Sequence, residues 1–161
     1  MRNIIIMSLM MVIISCSQKD AKVSDNINNE SEIEIIGNTI SSNIGWFKNK
    51  DFDLLNSIVA HDSNFICVHP TDKVVRGYEQ FLSNSEVFKN PDFTYVRHEL
   101  KDLKITLSKT GDVAWYYCIL DDINSYKGQP ANWENARWTG VLEKRNGKWV
   151  IVQHHFSFAA E

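Results

Sequence analysis

From residue 93 onward the chain carries four strand-length runs, near 94–108, 113–123, 133–144 and 148–158, with turns at "SKTGD" and "KRNGK". A glycine in each turn permits positive φ and a tight reversal, which favours antiparallel pairing of the strands it joins. The first half reads differently. Ile33, Ile36, Ile40, Ile44 and Phe47 recur at spacings of three and four, the period of an amphipathic helix within 31–50. Ser31 with Glu34 suggests a capping box at its start. "DFDLLNSIVA" (51–60) suggests a second, short helix, "NFICVHP" (64–70) a strand stopped by Pro70, and "GYEQFLSNSEVF" (77–88) a third helix. Helices first and an antiparallel meander after them form an α+β pattern.

The N-terminus is a separate matter. "MRNIIIMSLMMVIISCSQKD" places Arg2 before an apolar run, Ile4 to Ile14, broken only by Ser8. The run is too short to span a bilayer and has the length of a signal-peptide apolar region. With Ser15-Cys16 at its end it resembles a bacterial lipoprotein signal, with Ile13 where leucine is usual. The resemblance implies removal of residues 1–15, lipidation of Cys16, and a location in the cell envelope on the periplasmic or surface side. Membrane contact is then through the lipid alone. "SQKDAKVSDNINNES" is polar and aperiodic, so residues 16–31 are expected to be a flexible tether. The formal charge is −3, or −4 once Arg2 is removed, with no basic excess, which argues against nucleic acid as a partner. Cys67 and Cys118 lie in apolar, strand-like contexts; a disulfide and two buried thiols are both open.

Three pieces in order carry a second resemblance: "VVRGYEQF" opening a helix, "GDVAW" opening a strand, and "RWTGVLEKRNGKWVIVQHHFS" closing the chain. Together they resemble the nuclear transport factor 2-like superfamily, near its SnoaL-like branches, over residues 32–158. The resemblance implies a cone, with N-terminal helices on the concave face of a curved antiparallel sheet around a central pocket. Its members include isomerases, dehydratases, cyclases and non-catalytic domains, so the fold alone does not choose a reaction.

Neighbouring residues of a strand face opposite ways, so His154 and His155 cannot both look into such a pocket. On the last strand Trp149, Ile151, Gln153, His155 and Ser157 share one face. A three-residue turn at Arg145-Asn146-Gly147 would set His155 opposite Arg137 and gather Thr139 with Gln153; a two-residue turn would set His155 opposite Trp138. The first register is preferred, and the superfamily resemblance implies an inward arginine and histidine at these places. It makes Arg137, His155 and Trp133 pocket residues, with Tyr117 and Asp121 facing in from "WYYCILDD" (115–122) and His154 facing out. His155 is then a candidate general base, or else a core histidine satisfied by hydrogen bonds. His69 can reach the rim, and Trp46 is expected as core. The same register leaves Trp138, Leu142, Val150, Val152 and Phe156 as an outer apolar face, which suggests a homodimer through the sheet.

No nucleophile elbow, phosphate loop or zinc-helix motif occurs. Histidines 61, 69, 98, 154 and 155 form no H-x-H or H-x-x-x-H pair, and adjacent strand histidines diverge, so neither metal nor cofactor is expected. Three function classes follow: an envelope lipoprotein domain that binds a small, mostly apolar ligand; a cofactor-free isomerase, dehydratase or cyclase using His155 as base; and an assembly domain with a vestigial pocket.

Overall fold

The computed structural model describes residues 18–160, and side chains from residue 29. The expected signal segment and Cys16 lie outside the described residues. Helix α1 (Gln18–Gly45) runs into a 3-10 turn (Trp46–Lys48) and is followed by α2 (Phe52–Ile58). Two short strands come next, β1 (Ile66–Val68) and β2 (Val74–Arg76), then α3 (Tyr78–Ser85). The chain closes with β3 (Phe93–Leu107), β4 (Val113–Tyr126), the two-residue β5 (Gln129–Pro130), β6 (Trp133–Arg145) and β7 (Lys148–Ser157).

The seven strands form one sheet in the order β2-β1-β7-β6-β4-β3, with β5 added against β4. The expected α+β cone is what forms: three N-terminal helices against a strongly curled sheet. One detail differs, because the sheet is mixed. Ile66, Cys67 and Val68 of β1 run parallel to Gln153, His154 and His155 of β7, so the chain's first and last strands lie side by side. The curl has local causes. β3 shifts register between Tyr95 and Arg97 and again between Lys101 and Lys104, β6 gains a residue between Trp133 and Ala136, and β7 gains Val152. Each extra residue bends its strand and increases the local twist. Asp102 and Asn135, at two of these sites, take φ of 54° and 55°, a region short polar side chains tolerate best.

The predicted stripe of α1 is the buried one: Ile36 and Ile40 are fully covered, and Phe47 is 4% exposed. The helix begins far earlier than the periodicity suggests, so residues 18–31 are helical where a flexible tether is expected, and Ser31 lies within the helix instead of capping it. No glycine or proline interrupts residues 18–36, and extending a helix already anchored downstream costs little per residue. Glu32 helps to anchor it. Its carboxylate accepts from Lys144 Nζ at 2.7 Å and from Trp149 Nε1 at 2.5 Å, which holds that carboxyl below its usual range. At α2, Asp51 accepts from the Leu54 amide at 2.9 Å and serves as the N-cap.

The sheet's concave face completes the core with Ala114, Tyr116, Cys118, Leu120, Ala136, Trp138, Leu142, Ile151 and Phe156. Cys67 and Cys118 are both buried free thiols. The expected outer apolar face is therefore turned inside. Trp138 and Leu142 are fully buried and Phe156 is 4% exposed, with Val150 and Val152 partly buried against the same core. The convex face instead shows Trp115, 48% exposed, and Tyr117, 39% exposed.

Candidate functional site

The orientation of the two histidines depends on one residue. The turn is the two-residue form: Arg145 pairs with Lys148, and Asn146 and Gly147 take φ of 51° and 79°. Both values are positive, as a type I′ turn requires. From there Trp149 and Ile151 point into the core. Ile151 then pairs with Leu142 but Gln153 pairs with Val141, so Val152 is an inserted bulge. The bulge reverses the alternation, and beyond it His154 and Phe156 face inward while Gln153 and His155 face outward.

This overturns most of the expected site. Arg137 pairs with Ser157, not His155; it lies on the convex face, where its guanidinium donates to the Phe158 carbonyl. His155 sits on that face opposite Thr139. Tyr117 is also outside, because the buried members of β4 are the even-numbered Ala114, Tyr116, Cys118 and Leu120. Asp121 follows Tyr117 outward. It accepts from Lys101 Nζ at 2.9 Å and from the Asn135 amide at 2.8 Å, and these bonds hold its carboxyl below the usual range. Trp133 alone of that set lines the interior, because the bulge at Asn135 separates its parity from that of Arg137.

The interior holds a cavity of about 280 Å³ between the helices and the concave sheet. That volume is at the small end of the usual range for ligand pockets. Trp46, Phe47, Phe88, Phe93, Trp133 and Phe156 supply aromatic wall. Most of these rings meet edge-on or tilted, as in Trp46 with Phe88 at 5.4 Å and Trp133 with Phe156 at 5.1 Å, while Phe88 and Phe93 stack at 5.1 Å. Trp46 is thus both core and cavity wall.

A few polar groups converge on this apolar space. The Asn43 side-chain amide, from α1, donates to His154 Nδ1 at 3.3 Å, which puts the ring proton on Nε2. His154 is 2% exposed, and burial, reinforced by nearby His69, depresses its pKa to about 3. The ring is therefore neutral at any ordinary pH. Asp122 enters from β4, between His98 of β3 and Trp133 of β6. Burial pushes its carboxyl up to about 6, against the opposing effect of the Asn124 side chain. His69 lies at the end of β1, edge-on to Trp133 at 6.0 Å and within 3.5 Å of Cys67 Sγ. Desolvation and Lys73 both lower its pKa, while the Cys67 thiol is pushed up to about 12 and stays protonated.

Five cavity-lining residues carry a buried polar atom with no hydrogen-bond partner: Asn43 Oδ1, Asn84 Nδ2, Asp122 Oδ1, Asn124 Oδ1 and His154 Nε2. Buried polar groups are nearly always paired, and an unpaired one costs on the order of 1–3 kcal/mol. Two donors, two amide oxygens and a carboxyl oxygen thus face one small apolar space, the mix of apolar wall and a few convergent polar groups that ligand pockets use. Of these residues the sequence pattern marks only His154, and simple strand alternation puts it on the wrong face. Among the described residues, no group of three histidine, cysteine or acidic side chains is arranged to hold a metal ion.

Residues 36–161 match the family described as SnoaL-like domain. No curated protein matches the chain. Among solved structures, a candidate dehydratase of the NTF2-like family from Streptomyces avermitilis is 19% identical with a TM-score of 0.71, covering 83% of this chain and 99% of that one. A nuclear transport factor 2-like superfamily protein from Salmonella enterica is 21% identical with a TM-score of 0.67, covering 83% and 94%. An NTF2-like protein with a cystatin-like fold from Novosphingobium aromaticivorans is 11% identical with a TM-score of 0.68, covering 86% and 88%. At these identities the likeness is one of fold.

Proposed function

We propose that this chain, which belongs to the SnoaL-like domain family, binds a small, mostly apolar molecule in its central cavity and moves a proton on it without a cofactor. The observation that carries this reading is Asp122. A carboxyl with a buried, unpartnered oxygen, set against an aromatic wall and titrating near pH 6, is costly to the fold and suited to proton transfer near neutral pH. His154 complements it. Held by Asn43 and kept neutral, it presents Nε2–H as a donor that does not itself ionise.

In this reading the Asp122 carboxylate takes a proton from a carbon next to a carbonyl. The C–H electron pair shifts toward the carbonyl oxygen, which His154 Nε2–H and the Asn84 amide stabilise as it becomes an enolate. Asp122, now protonated, returns the proton to the γ-carbon of the dienolate where the substrate is a β,γ-unsaturated carbonyl (isomerisation), or to a hydroxyl leaving the β-carbon as water (dehydration). The naming of the Streptomyces neighbour as a candidate dehydratase is consistent with the second outcome. Screening the purified domain against small single-ring ketones and β-hydroxy ketones in deuterium oxide tests it. Exchange or loss of water that disappears in Asp122→Asn supports the reading; turnover that survives in Asp122→Asn refutes it.

Two further proposals concern setting. The apolar run closed by Ser15-Cys16 supports a lipid anchor at Cys16 in the cell envelope, tested by fatty-acid labelling of wild type against Cys16→Ser. The exposed Trp115 and Tyr117 on the convex face support a symmetric homodimer through the sheet, on the opposite face from the one the sequence pattern suggested.

A further inference from the structure

The cavity's charges are few and lie apart. Among the described lining residues Lys73 is the one cation and Asp122 the one acid. Lys73 sits in the turn between β1 and β2. Its carbonyl accepts from the His69 amide at 3.0 Å, and its own amide donates to Thr71 Oγ1 at 3.3 Å. Those two bonds fix its backbone beside His69 at the rim. Its side chain is exposed, and no ion pair among the described residues includes it.

Lys73 and Asp122 do not neutralise each other. The Lys73 charge depresses His69 and Cys67, its near neighbours, but is not among the groups that shift Asp122. His69 and Trp133 stand between the two ends: His69 is next to Lys73 in the β1–β2 turn, its ring is edge-on to Trp133, and Trp133 is the cross-strand partner of Asp122. An exposed ammonium beside His69, the Trp133 ring that His69 meets edge-on, and a buried carboxyl on the neighbouring strand make a two-ended template.

We infer that the molecule bound here is a single-ring or similarly compact carboxylic acid, whose carboxylate is held at the rim by Lys73 beside His69 and whose second oxygen, a ketone or hydroxyl across the ring, reaches Asp122 and His154. The inference rests on the reading of the cavity as a proton-transfer site and adds the class of substrate. Charge complementarity sets the carboxylate's end: placed at the Asp122 end, it would meet a second acid in a desolvated space. The cavity volume sets the size.

The test uses a panel of single-ring acids bearing a ketone or hydroxyl, 4-acetylbenzoate among them, each against its own methyl ester. Binding is measured by calorimetry at low salt on wild type, Lys73→Gln and Lys73→Arg. The expected result is an acid bound about fivefold more tightly than its ester by wild type, as suits a solvent-accessible ion pair. Lys73→Gln should bring the two within twofold of each other without changing the ester's affinity, and Lys73→Arg should keep the preference. Raising the salt concentration should shrink the wild-type preference. If esters bind as well as acids, or the preference persists in Lys73→Gln, the carboxylate assignment fails while the cavity reading stands. If neither acids nor esters bind at millimolar concentration, the cavity reading fails and the substrate class with it.

Discussion

Replacing Asp122 with asparagine should make the protein more stable and less active, with the stability gain confined to one side of a defined pH window. Burial raises this carboxyl from 3.8 to about 6. A raised acid favours its protonated form in the folded state. Its contribution is therefore harmless below the unfolded value near 4, worsens as pH rises toward 6, and remains a constant cost above that. That rise, at about 1.36 kcal/mol for each tenfold change in acidity, corresponds to roughly 3 kcal/mol, reduced to about 2 kcal/mol because part of the side chain meets solvent. Asparagine has nearly the same shape and no charge to bury. Urea unfolding followed by tryptophan fluorescence should therefore show Asp122→Asn about 2 kcal/mol more stable than wild type at pH 8, with an unchanged denaturant slope and no difference below pH 4. His154 also titrates in acid, but it is present in both proteins and cancels in the difference. A gain that is the same at pH 3.5 and pH 8 would refute the argument, since no charge would then be involved. No gain at pH 8 would mean that the carboxylate is already compensated.

Exchanging the adjacent histidines separately should give unequal effects: His154→Gln loses the Asn43 bond and ligand binding and costs about 1–3 kcal/mol, whereas His155→Gln leaves both unchanged, as titration of a bound probe and chemical unfolding can establish. His154 itself resists protonation, so its own contribution falls as pH drops from 6.5 toward 3, while between pH 6 and 4 the Asp122 contribution runs the opposite way and offsets it in wild type. The difference between wild type and His154→Gln should therefore shrink as pH falls through that range in the same unfolding series. Gly140→Ala should destabilise by about 1–3 kcal/mol, because a Cβ there would lie 2.5 Å from the Tyr116 ring and 2.7 Å from the Gln153 carbonyl; thermal unfolding checks it, and an unchanged midpoint counts against that packing. Paired Trp115→Ser and Tyr117→Ser substitutions should shift a dimer to monomer in sedimentation velocity without disturbing the cavity; a wild-type monomer at every concentration removes the dimer proposal.

Most of the architecture was legible because its signals are local. The three-and-four spacing of Ile33, Ile36, Ile40 and Ile44 found the buried stripe of α1, and the four long strands followed from apolar runs cut by glycine turns. The short β2 and β5, and the parallel pairing of β1 with β7, left no local trace, since they depend on partners distant in sequence. The site was misread for a specific reason. In "WVIVQHH" the residues around the bulge, Val150, Ile151 and Val152, are all apolar, so neither face carries a polar mark that would expose an extra residue. One unmarked insertion exchanged His155 for His154. Asp121 and Asp122 presented the same difficulty: the faces led by Trp115 and Tyr117 and by Tyr116 and Cys118 are equally rich in large apolar groups, and only burial separates them. A signal was available at Asn135, because asparagine is among the residues that accept positive φ and so can mark a bulge. Lys73 and Asn84 come to the cavity from a turn and from the inner side of α3, where sequence spacing says nothing of the sheet opposite.

The most direct test is a high-resolution crystal structure of the protein purified from its native source without added ligand, examined for density inside the cone. The account predicts a compact molecule in the cavity with one oxygen against Asp122 and His154 Nε2 and its ring along Trp133. A cavity closed by its own side chains, or a molecule seated on the convex face beside His155 and Arg137 instead, would contradict it.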